Sequence, residues 1–273
     1  MLRHLPAVAL AVALALGSPL IARATDWVSV EKNIKKKFNS PAFVEQVLDQ
    51  YGFRGAVRIT MAQHLREMYR SDLVIKALVE EIKNLGFGDS DNSTDFSEFN
   101  FRQFGSEVFQ AWSLKGLARL PAEDQRQFYR LLIRLMSVMT PVDCKLLLMS
   151  DGKSASEVGQ TEIKYYAKLS KIEFENYLAL LRKSMYAELR DFPATKTLNQ
   201  TQLETADKAF QSKFEEIVRE DNVDLSTILA MADLANAKPQ QACEGGKLVI
   251  TTVLRMKGLP SEWMLLKMIQ SSL

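Results

Sequence analysis

Between Leu117 and Gly152 the chain carries its most strongly apolar helical pattern, and that stretch limits what the remainder can be. Phe128, Leu131, Leu132, Leu135 and Met139 recur at helical spacing, the period of one buried face. Arg126, Arg130 and Arg134 fall four apart on the opposite face. Thr140-Pro141 ends this helix and opens another, because proline disfavours αR at the residue before it yet is tolerated at the first helical position. Asp143 then suits a cap on Thr140, and Cys144 to Met149 continue as a short apolar helix. A helical hairpin so apolar has to be covered by other helices, which predicts a central core position.

The same periodicity runs through the rest of the chain. Asp26 can cap a helix with Trp27, Val30, Ile34 and Phe38 on one face. Ser40-Pro41 opens a second helix ended by Gly52, and Phe53 to Arg58 reads as a connector. Thr60 with Gln63 reads as a capping box for a long stretch to Leu85, with a break at Ser71-Asp72. Asp95 with Glu98 opens an aromatic-rich helix through Phe99, Phe104, Phe109, Trp112 and Leu117. Ser154 with Glu157 opens the longest pattern, which closes only at Pro193. Thr201 with Glu204 opens another, and Asp224 caps a short one through Leu225, Ile228, Leu229 and Ala232. Lys238 to Gly246 reads as a turn holding Cys243, followed by helices at 247–257 and 261–270. The run 248–253 is the one β-branched segment. The predicted fold class is all-α, a multi-helix globular bundle of about ten helices with one disulfide. Leu120-Pro121 and Leu259-Pro260 each join helices beside a cysteine-bearing element, suggesting two hairpins packed side by side.

The N-terminus bears on the compartment. Arg3 and His4 precede an uncharged segment around residues 7–16, then Gly17-Ser18-Pro19 and the small-residue pattern Ala22-Arg23-Ala24, the grammar of a secretory signal peptide. The expectation is a signal peptide over 1–24 and a single all-helical domain over 25–273, with a subdivision allowed near 86–95. An uncleaved anchor is the alternative, since residues 5–22 lack charge. No later charge-free run approaches spanning length, so no stable membrane insertion is expected after cleavage. Of 35 basic residues, Arg3 and Arg23 leave with the signal, so 33 face 33 acidic residues in a neutral mature chain. Nucleic acid is not an expected partner, because binding by counterion release requires a basic excess. Lys35-Lys36-Lys37 reads as a solvated helix face. Cys144 and Cys243 are the only cysteines, and in an oxidising compartment they are expected to pair.

Few catalytic chemistries survive. The mature chain keeps one histidine, His64, too few for a histidine-dependent triad beside a nucleophile motif or for a zinc site with these cysteines. Asp89, Asp91, Ser93 and Asp95 imitate an EF-hand register, but Thr94 stands where glycine is needed and Asn100 where a bidentate Glu is needed, so a plain loop is expected. No cofactor, metal or catalytic residue is assigned. A glycosidase needs only two carboxylates, for which Glu107 and Glu162 are candidates that pattern does not separate from other acids. A carrier of an apolar ligand, using the 14 Phe and 11 Met, is a further alternative. The favoured expectation is a periplasmic protein-binding or inhibitor protein of the immunity type, neutralising an envelope-directed toxin by occluding its surface through a helix face or the 86–95 loop.

Overall fold

The computed structural model describes residues 27–84, 101–149 and 155–271. Among the described residues there are thirteen α-helices and no strand. The signal peptide, the 86–95 loop, the calcium register and the Asp95 and Ser154 caps lie outside them.

The first four helices are α1 (Trp27–Phe38), α2 (Pro41–Gln50), α3 (Gly55–Tyr69) and α4 (Asp72–Asn84). Ile34 and Phe38 are the buried positions of α1, as the spacing predicts, with Trp27 and Val30 partly covered. Phe38, Phe43 and Tyr69 knot α1, α2 and α3 together, the Phe38 and Tyr69 rings lying 4.5 Å apart. Gly52 takes φ +69° just after the end of α2, a conformation that costs glycine nothing and lets the chain reverse into α3. The expected cap at Thr60 is corrected here. The helix starts at Gly55, so Thr60 is interior and the expected connector is largely helical. The break at Ser71-Asp72 is present between α3 and α4.

The middle of the chain supplies α5 (Phe101–Arg119), α6 (Ala122–Val138), α7 (Pro141–Met149), α8 (Ala155–Tyr166) and α9 (Lys171–Leu189). The most extensive helix pairing is α5 against α9. Gly116 permits it, because a Cβ there would lie 1.7 Å from the Ser184 carbonyl oxygen. Buried Gln125 on α6 donates to the carbonyls of Leu117 and Leu120 at 3.2 and 3.0 Å, satisfying the end of α5 and fixing the turn. At the same end the Arg119 guanidinium reaches Glu188 at 2.7 Å and the Pro193 carbonyl at 3.0 Å. Phe128, Leu131, Leu132 and Leu135 are buried, Met139 is partly so, and Arg130 and Arg134 are exposed. The central hairpin is therefore core, as its pattern predicts. The backbone of Asp143 donates to Thr140 Oγ1 at 3.3 Å. The single long helix expected from 154 to 189 is corrected: it is two. The chain turns at 167–170, and Ser170 with Glu173 forms a complete capping box that opens α9.

The last four helices are α10 (Gln200–Glu220), α11 (Leu225–Ala232), α12 (Pro239–Arg255) and α13 (Gly258–Gln270). The box that opens α10 is Asn199 with Gln202, two residues earlier than the expected Thr201 with Glu204. Asp224 does cap α11, accepting from the Ser226 N–H at 2.8 Å. Residues 239–246, expected as a turn, are the first half of α12, and the 248–253 run continues it. Gly245 and Gly246 are there for close approach: an added Cβ would meet Met231 of α11 at 2.9 Å and Leu148 of α7 at 2.4 Å. The hairpin α6–α7 packs on α12, and α13 touches α5, α6 and α10. The suggested repeat ends at the two prolines, since Pro121 caps α6 from outside whereas Pro260 lies inside the first turn of α13.

Cys144 and Cys243 are joined, stapling α7 to α12 across a separation of 99 residues. One hydrophobic cluster runs from Ile34 on α1 to Ile269 on α13. Cys144→Ser should lower the unfolding free energy by roughly 2 to 4 kcal/mol, mainly because the unfolded chain regains a long open loop. Urea denaturation of the two proteins checks this, and an unchanged midpoint would contradict it.

Candidate binding surfaces

Glu162 on α8 is fully buried. Its Oε2 accepts from the Tyr166 hydroxyl at 2.7 Å, and its Oε1 has no hydrogen-bond partner. Burial pushes this carboxyl up to about 8, against a smaller opposing pull from the Tyr166 hydrogen bond, so it carries its proton at neutral pH. The Tyr177 ring lies 6.0 Å from the Tyr166 ring, and burial raises both phenols well above their ordinary range. Glu107 lies exposed on α5. A glycosidase must bring both carboxyls to one glycosidic bond, and a sealed Glu162 does not reach a polymer. The two candidate acids are not brought together at a cleft.

His64 lies on the buried face of α3, 1% exposed. Arg182 of α9 donates to its Nδ1 at 2.6 Å, so the ring proton sits on Nε2, which is buried without a partner. Burial first, and the Arg182 charge second, hold its pKa well below the usual histidine range. The imidazole is neutral and locked, a poor general acid or base at physiological pH. Among the described residues no three of His, Cys, Asp and Glu cluster as a metal site. No helix among them is long and apolar enough to cross a membrane.

Two surface features stand out among the described residues. The first is the outward face of α3, opposite its buried stripe, where a depression of about 410 Å³ is lined by Ile59, Gln63, Arg66, Glu67 and Arg70. Glu67 is held at 3.1 Å by Arg182, the same guanidinium that contacts His64. Arg66 reaches Glu45 at 3.3 Å, and Glu45 also takes Arg58 at 2.6 Å.

The second is α11, LSTILAMA, a helix without charge that packs chiefly on α12. Ala230 is its buried position, while Leu225 and Leu229, one turn apart, remain 65% and 62% exposed. Lys145 of α7 donates to the carbonyls of Ala235 and Ala237 at 2.7 and 2.9 Å, pinning the turn that follows α11 beside the disulfide corner. Val142, one turn before Lys145, is another exposed apolar residue, at 64%.

Periodicity places these leucines on a helix but does not by itself give their exposure. The signal was present: six apolar residues spread around an eight-residue helix without charge cannot all be buried by a helix packed along one face. The arginines of α3 gave no such signal, since singly spaced charges resemble any solvated face. Comparison with known proteins finds no matching family model, no matching curated protein and no matching solved structure.

Proposed function

We propose that this chain is an exported, periplasmic binding protein of the immunity or inhibitor type, acting by occluding an apolar surface of a protein partner. The observation that carries the reading is the exposed leucine pair of α11 on a helix with no charge. Isolated exposed apolar residues are ordinary, but two leucines on one uncharged turn, backed by a helix pinned through Lys145, form a preorganised anchor. An uncharged face calls for an apolar partner face, because a charged one would be desolvated without compensation. The sealing of Glu162 and the locked state of His64 support binding rather than turnover.

The test is affinity capture from an envelope extract with the immobilised mature protein, beside a Leu225→Asp, Leu229→Asp variant. The wild-type protein should retain one dominant protein in near-stoichiometric amount. The variant should bind it at least about tenfold more weakly, since interface energy concentrates in a few anchors, with an unchanged melting temperature because both side chains face solvent. Equal capture by both proteins would contradict the reading.

A further inference from the structure

The charges around α3 do not balance. Arg54, Arg58, Arg66, Arg70 and Arg182 cluster here with Glu45, Asp49 and Glu67. Each of these three carboxylates is already engaged by at least one guanidinium, and among the described residues Arg70 has no carboxylate partner. This local excess of two positive charges equals the formal net charge of the whole chain, +2 from 35 basic and 33 acidic residues, so it is concentrated rather than spread. It is also made entirely of arginine, whose planar fork matches carboxylates in pairs and loses less solvation than an ammonium on doing so. Arg66 and Arg70 are one helical turn apart, about 6 Å along the axis, and Ile59, 72% exposed, lies about two turns before Arg66 on the same face.

We propose that the outward face of α3 is a docking site for an acidic helical segment of a partner protein, distinct from the α11 surface. In it, two carboxylates one turn apart engage Arg66 and Arg70, and an apolar residue covers Ile59. Arg182 pairs with Glu67 at 3.1 Å, which partly offsets the one carboxylate that lines the depression beside these arginines. Ile59 favours a protein segment over a polyanion backbone, because a phosphate chain offers nothing to cover an exposed branched aliphatic side chain.

The test is direct titration of the folded mature protein with a labelled, end-capped helical peptide that repeats the Ile59, Arg66, Arg70 spacing as Leu, Glu, Glu. A second peptide carries Lys in place of both Glu. The Glu peptide should bind at least tenfold tighter than the Lys peptide, and its affinity should fall as salt is raised. Arg66→Glu with Arg70→Glu should weaken it at least tenfold. The same two positions changed to Lys should weaken it only a few-fold, which separates the loss of fork geometry from the loss of charge. Both side chains are exposed, so losing the surface Arg66–Glu45 pair should lower the melting temperature only slightly, and circular dichroism confirms that each variant is folded. Equal binding of the two peptides, or indifference to the charge reversal, would overturn the proposal. So would tighter binding of anionic phospholipid vesicles or a DNA duplex than of the Glu peptide. The Leu225→Asp, Leu229→Asp variant should bind the Glu peptide normally, so failure at one surface is distinguishable from failure at the other.

Discussion

Replacing Gly116 by valine should prevent the chain from folding. At this position α5 and α9 approach so closely that even a Cβ would lie 1.7 Å from the Ser184 carbonyl oxygen and 2.4 Å from its carbonyl carbon. Those atoms are backbone inside a helix and do not move aside as a side-chain end would. The two helices would have to separate along the most extensive pairing in the structure, and Leu117 of α5 and Leu181 and Met185 of α9 are all buried. Ordinary overpacking costs about 1 to 3 kcal/mol; forced separation of two backbones exceeds that and reaches about 5 kcal/mol or more, a large part of a domain's total stability. Gly246→Ala is the informative companion. Its Cβ would meet Leu148 Cδ1 at 2.4 Å, the far end of a flexible side chain. The higher helix propensity of alanine offsets about 1 kcal/mol of the resulting crowding, so this variant should fold with a small loss. Thermal denaturation of purified proteins checks both, and a Gly116→Val protein melting like the wild type would show that α5 and α9 do not pack this closely.

Stability should also fall steeply as pH rises from acid to mildly alkaline, and Glu162→Gln should remove that fall. The folded-state value of about 8 lies above the ordinary 4.5, so the folded chain holds this proton more tightly than the unfolded chain. Its stabilising contribution is therefore complete below about pH 4.5, decreases as pH climbs, and is gone once pH passes about 8. The span between the two values corresponds to a loss on the order of 5 kcal/mol for a fully buried group. Above that range Glu162 becomes an uncompensated buried charge beside Tyr166 and Tyr177. Glutamine keeps the shape without the titration, so the difference between the two denaturation series isolates this residue. Tyr166→Phe removes a hydrogen bond that favours the charged form, and should push the carboxyl higher still. Parallel pH curves for wild type and Glu162→Gln would show that Glu162 is not sealed from solvent.

The helical class, the core hairpin and the disulfide were legible because each is written in local chemistry. Phe128, Leu132 and Leu135 share a helical period, and two cysteines leave one pairing. What escaped was set by tertiary contact. Gly245-Gly246 resembles a turn, yet the missing side chains serve the approach of α11 and α7 to a continuous helix. The box at Ser170 and Glu173 was hidden inside an uninterrupted apolar rhythm, and rhythm alone does not distinguish one long helix from two successive ones. Glu162 looked like any surface acid, because its neighbours at helical spacing are Val158 and Tyr166, whose burial is decided by helices far away in sequence. The exposure of Leu225 and Leu229 depends on how little covers α11, a fact about packing rather than pattern.

The central claim, that α11 meets a protein partner in the envelope, is tested most directly inside the cell that makes the protein. A photo-crosslinking amino acid placed at Leu229 should yield one discrete adduct with an envelope protein. The same residue placed at Lys208, on α10, should yield none. Absence of an adduct at 229, or equal adducts at both positions, would contradict the account.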